Sequence, residues 1–153
     1  MLRLAPLAVL LVAAGCAPSI APTYRDYRVP DTLEHAAEGE RSLEDELRAA
    51  LEDAGWTEAE PDAPNVITTE PRRIDSGLFS HVDAMLDLAP VGGPYVRVYV
   101  HAFRTNVFGA RSKQPYLSPG LRRVALGDLT DALARRGLVA LDQPRERDED
   151  ATE

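Results

Sequence analysis

Two sets of side chains have types and spacings that could carry chemistry: the thiol of Cys16, and the group His81, Asp83 and His101. Cys16 is the only cysteine in the chain, so it has no intrachain disulfide partner. It stands between an apolar run, Leu4 to Ala14, and a segment rich in Pro, Ser and Thr, which is not the setting of a buried free cysteine. The second group supplies two imidazoles and a carboxylate, a donor set suited to zinc or another transition metal. His81 and Asp83 are two residues apart, so on one strand they share a sheet face, and His101 on a neighbouring strand can join them. The competing assignment is ordinary cross-strand pairing on a wet sheet face. No fourth ligand or catalytic base accompanies the set.

The region around Cys16 is the more specific signal. Arg3 supplies a positive charge, and the apolar run after it is shorter than the roughly 20 residues that cross a bilayer. The run closes on Ala13-Ala14-Gly15-Cys16, which resembles the lipobox of bacterial lipoproteins, with Ala13 where Leu is usual. The resemblance implies a signal peptide over residues 1–15, cleavage by the lipoprotein signal peptidase, and a diacylglyceryl group on Cys16. A further N-acyl chain completes a firm anchor, since stable attachment takes about two chains. Ala17, rather than Asp, follows the cysteine. By resemblance to lipoprotein sorting in diderm bacteria, this implies the outer membrane, with the domain facing the periplasm.

Composition limits the partners. The net charge is -8, which argues against nucleic acid and against docking on an anionic bilayer. The basic residues are nearly all arginine, Lys113 being the one lysine. The chain divides into a lipidated N-terminus and flexible tether over 16–40, a globular domain over 41–142, and an acidic, disordered tail over 143–153. Within the tether, Tyr24, Tyr27 and Val29 have the spacing of a short strand.

The elements that must position these residues are two helices and a few strands. Ser42 with Asp45 resembles a capping box, and Leu43, Leu47, Ala50, Leu51 and Ala54 follow at helical spacing up to Gly55 and Trp56. Ser118 and Pro119 open a second helix with a stripe of Leu121, Val124, Ala125, Leu129, Ala132 and Leu133, closing on Gly137 and Leu138. Both share the pattern L-x-x-A-L-x-x-x-G-apolar, which two helices solving one capping problem explain as well as a duplication does. Between them the pattern predicts strands beginning at Val66-Ile67-Thr68-Thr69, over Leu78–Leu88 and over Tyr95–Arg104, with Val139–Leu141 as an additional one. The expected fold is α+β, with two helices on one face of a three- to four-stranded antiparallel sheet, in the order α-β-β-β-α. Pairing Leu88 with Val96 sets core against core, and places Asp87 opposite Arg97, Met85 opposite Tyr99, Asp83 opposite His101 and His81 opposite Phe103.

That register puts Met85, Tyr95, Tyr99 and Phe103 on the outer face as a partner surface, unless residues 24–29 cover it. The loop from Asn106 to Pro119, with Arg111, Lys113 and Tyr116, is a basic stretch that could meet phosphate head groups or serve only as a connection. No nucleophile elbow, phosphate loop or zinc-protease helix is present, so no enzyme and no cofactor is implied. The helix–strands–helix core resembles small outer-membrane assembly lipoproteins. In the C subunit of the β-barrel assembly machine, a helix ending in Gly-apolar leads into an Ile-x-Thr strand, as Gly55-Trp56 and Ile67-Thr68-Thr69 do here. The lipopolysaccharide-assembly lipoprotein has a similar plan of two helices on a sheet. Such likeness implies a fold and no functional residues. The expectation is a lipid-anchored, non-enzymatic accessory or scaffold of an envelope protein complex. The alternative is a periplasmic module binding a small ligand or lipid.

Overall fold

The computed structural model describes residues 23–34, 42–61 and 63–145, with side chains through Leu141. The expected signal peptide, Cys16 and the end of the expected tail lie outside these residues. The elements run β1 (Thr23–Arg28), α1 (Asp31–Glu34), α2 (Leu43–Asp53), β2 (Ile67–Thr68), β3 (Arg72–Ser76), β4 (Ser80–Pro90), β5 (Tyr95–Asn106), β6 (Arg111–Gln114), α3 (Pro119–Arg135) and β7 (Val139–Arg145).

The expected three- to four-stranded sheet is corrected to a seven-stranded one, and the fold is dominated by this antiparallel sheet. Its order is β2-β4-β5-β1-β7, with β3 also on β4 and β6 also on β5. β2 and β3 are two pieces of one edge, interrupted at Pro71, which has no N–H to give a ladder. β1 and β6 lie end to end along β5, opposite Tyr95–Val100 and Ala102–Thr105 respectively.

The stretch expected as a tether, 16–40, contains an ordered strand. Thr23–Arg28 is an interior strand between β5 and β7, and Tyr27 and Val29 are among the most buried side chains. At the other end, β7 continues to Arg145, past the expected domain boundary at 142.

The helices form as their sequences dictate. The Ser42 hydroxyl accepts from the Asp45 N–H at 3.2 Å, and the Asp45 carboxylate accepts from the Ser42 N–H at 3.2 Å, a complete capping box. Ser118 caps α3 by accepting from the Leu121 N–H, with Pro119 at the first turn. Both helices then end in the same hydrogen-bonded turn. Trp56 N–H reaches the Leu51 carbonyl and Leu138 N–H the Leu133 carbonyl, with Gly55 and Gly137 at φ 72° and 84°. That left-handed conformation is available to glycine without a Cβ clash.

Leu47, Ala50 and Leu51 of α2 and Ala125, Leu126, Leu129, Ala132 and Leu133 of α3 pack on one sheet face. Val124, expected in the α3 stripe, is half exposed; Leu126 takes its place, because Val124 shares the wet side with Asp128 and Asp131. From the sheet come Val82, Ala84, Leu86 and Leu88 of β4 and Val96, Val98, Val100 and Ala102 of β5, the alternate residues expected. Arg72 ties the layers together: its guanidinium donates to the Ala54 carbonyl at 2.8 Å and lies 3.8 Å over the Trp56 ring, and burial lowers its pKa.

The β4–β5 register differs from the expected one by two residues. Leu88 pairs with Val98, not Val96, and the ladder runs on to Pro90 opposite Val96. The hairpin closes through Val91-Gly92-Gly93-Pro94, with both glycines at positive φ. This tighter turn allows a longer ladder than a loop spanning residues 89–95 would. A slip of two keeps every side chain on its face and changes every cross-strand neighbour.

Candidate functional site

The sheet face opposite the helices is covered by none of the described helices, and it carries the chemistry-bearing side chains. Along β5 these are Tyr95, Arg97, Tyr99, His101 and Phe103, and along β4 His81, Asp83, Met85 and Asp87. β1 adds Tyr24 and Asp26, directly opposite Tyr99 and Arg97.

The expected metal set does not come together. The two-residue shift sets Asp83 opposite Phe103 and His101 opposite Met85. His101 instead reaches diagonally to Asp87, Nε2 to Oδ2 at 2.8 Å, and His81 Nε2 lies 3.2 Å from Asp83 Oδ2 on its own strand. Among the described residues, no group of three His, Cys, Asp or Glu is placed to hold a metal ion. The hydrogen bond from His101 holds the Asp87 carboxyl below the usual carboxylate range, against the opposing effect of burial.

Met85, Tyr95, Tyr99 and Phe103, expected as a partner surface, share this sheet face with neighbours other than those expected. Tyr95 is 40% exposed, and Met85, Tyr99 and Phe103 are half-buried. The Tyr99 ring packs 6.1 Å from Tyr24 and 6.5 Å from His101, centroid to centroid. Residues 24–28 thus extend the face beside β5 and do not cover it.

The sequence places Arg97 on this face opposite Asp87, and Arg111 in a basic loop, but does not show that either lies over a ring. The Arg97 guanidinium lies 4.1 Å over Tyr24 and grips Asp26 bidentately, at 2.6 and 2.9 Å. The Asp26 carboxylate raises the Arg97 pKa, keeping it charged at any accessible pH. Arg111 lies 3.8 Å over Phe103. What was lacking was the neighbour: Asp26 and Tyr24 come from β1, which pairs with β5 across the chain.

A second feature lies at the edge of the helix layer. A cleft of about 520 Å³ is lined by Arg25, Arg122, Arg123, Leu126, Gly127, Thr130 and Asp131, with Pro119 at its rim. Thr130 Oγ1 lies 2.8 Å from the Tyr27 hydroxyl and accepts from Arg25 Nη1 at 3.2 Å. Burial pushes the Tyr27 hydroxyl pKa up, so it stays protonated.

No protein-family model matches this chain, and no curated protein compared with it gives a significant match. Among the described residues no helix is long and apolar enough to cross a membrane.

Proposed function

We propose that this chain is a lipid-anchored accessory protein of the outer membrane, attached through Cys16. It acts without catalysis by binding a protein of the cell envelope on its helix-free sheet face. The observation that carries the reading is the constellation Tyr24, Arg97, Tyr99 and Phe103 with Arg111, ordered by stacking and ion pairing. Tyrosine and arginine dominate the energetics of protein interfaces, and they do so most when held rigid before binding, because less side-chain entropy is then lost. The lipobox resemblance at residues 13–16 supports the anchor. The test is site-specific photocrosslinking in membranes, with the probe at Tyr99 or, as a control on the helix layer, at exposed Ala134. A discrete adduct from position 99, absent from position 134 and lost on Arg97→Ala, is the expected result. Equal labelling at both positions would overturn the reading.

The cleft favours a second reading, a module that binds a small anion or a lipid head group. Three arginines, Arg25, Arg122 and Arg123, line one cleft of an acidic chain, with Asp131 beside them. Titration with glycerol phosphate tests it. Saturable binding lost in Arg122→Ala or Arg123→Ala would favour this reading, and no heat at millimolar ligand would remove it.

A further inference from the structure

One end of the sheet is apolar in a way that neither reading uses. The turn between β3 and β4 presents Leu78 and Phe79, 86% and 71% exposed, and the turn between β5 and β6 presents Val107 and Phe108, 61% and 92% exposed. The Val107 N–H donates to the Phe79 carbonyl at 3.1 Å, so the four side chains belong to one tip. Single exposed apolar residues are ordinary, whereas four gathered on one tip mark a contact surface.

Much of the backbone of the tip is hydrogen-bonded. Asn106 Oδ1 accepts from the Phe108 and Ala110 N–H groups, both at 3.0 Å, and Asn106 N–H donates to the Ala110 carbonyl at 3.0 Å. Gly77 N–H donates to the Ser80 carbonyl at 2.8 Å. Turns closed in this way lose fewer hydrogen bonds on leaving water, which is what entry into a lipid interface requires. Behind the tip, Arg73, Arg104, Arg111 and Lys113 form a basic belt, against Asp75 and Asp83. The acidity of the whole chain is therefore an average; α2 alone carries Glu44, Asp45 and Glu46 in its first turn.

We propose that this tip dips into the interface of a phospholipid bilayer with anionic head groups. Leu78, Phe79, Val107 and Phe108 then reach the acyl boundary, and the basic belt lies at the level of the phosphates. The strand direction agrees. β1 starts at Thr23 opposite Val100 and runs away from the tip, so Thr23 is its tip-ward end. The segment from Cys16 to Thr23 spans at most about 24 Å, and Val100 to Val107 along β5 covers about the same distance. A fully extended segment would bring a lipid on Cys16 level with the tip. Only this orientation rests on the anchored reading.

The test uses the full chain with Cys16→Ser and one new thiol, at Phe108→Cys or, on the opposite end of the sheet, at Val91→Cys. Each carries an environment-sensitive fluorophore and is mixed with phosphatidylethanolamine–phosphatidylglycerol vesicles, with or without shallow spin-labelled lipid. The label reports its own surroundings, however the rest of the chain is held. At position 108 the emission should shift to the blue and be quenched, while position 91 should not respond. No response at 108, or an equal one at 91, overturns the proposal. Leu78→Ser with Phe79→Ser, both exposed and so compatible with folding, should weaken the response at 108 about tenfold or more; an unchanged response overturns it too. The intact mass of the wild-type chain recovered from membranes reports lipid on Cys16 separately. An unmodified cysteine would sink the anchor and leave the tip result standing.

Discussion

Arg97 should couple β1 to the rest of the sheet, and the size of that coupling follows from the geometry. The guanidinium makes two hydrogen bonds to Asp26, at 2.6 and 2.9 Å, with the two side chains 29% and 28% exposed. A fully solvated pair contributes about 0.2–1 kcal/mol, and a desolvated hydrogen bond to a charged group about 1.5–3 kcal/mol. A pair this exposed falls between the two, at about 1 kcal/mol. The stacking over Tyr24 at 4.1 Å adds about 0.5–1 kcal/mol. Arg97→Met should therefore cost about 1.5–2 kcal/mol and Asp26→Asn about 1 kcal/mol, with a coupling of about 1 kcal/mol in the double-mutant cycle. Trp56 is the only tryptophan and is 4% exposed, so urea unfolding can be followed by its fluorescence. Additivity within about 0.3 kcal/mol would refute the reasoning.

Tyr27→Phe removes the hydroxyl that meets Thr130 and should cost about 1 kcal/mol in the same unfolding assay. Gly55→Ala and Gly137→Ala should each lower the melting temperature, because both put a Cβ on a residue held at positive φ, whereas the neighbours they meet, Arg72 at 3.5 Å and Pro30 at 3.4 Å, are at ordinary contact distance. Leu86→Ala, at a fully buried site, should cost about 2–5 kcal/mol on chemical denaturation. The Asp87 carboxyl is held below its ordinary value of 3.8, so its stabilisation is fully present above that pH and is lost as the pH falls through the lower folded value. The stability curves of wild type and Asp87→Asn should therefore run parallel above about pH 5 and converge in stronger acid; a constant gap down to the lowest pH would count against the His101–Asp87 pair.

What the sequence disclosed depended on how local the determinant was. Capping residues act within four positions, so Ser42, Asp45, Ser118, Gly55 and Gly137 were legible and the structure places each as the pattern implies. The faces of β4 and β5 were legible for the same reason, since alternation is local. Register is not local. Charge matching of Asp87 with Arg97 suggested one pairing, but the Gly92-Gly93 turn set another, and Arg97 took Asp26 from a strand 71 residues away. β1 was obscured because it is short and carries Arg25, Asp26 and Arg28 around its buried Tyr27. β3 was obscured by Pro71 and by Asp75-Ser76-Gly77, whose turn chemistry begins only where the strand ends. The proposed metal set failed with the register, whereas the aromatic face survived, because a slip of two preserves faces.

The position of β1 has a mechanical consequence. A pull on the chain ahead of Thr23 loads this strand along its own axis while β5 and β7 hold it on both sides. Its ladder bonds lie across that axis and share the load in shear, whereas at a sheet edge peeled sideways they would break in turn. Force applied ahead of Thr23 therefore enters the sheet at a strand held on both sides, one place in from the edge strand β7, and not at an edge.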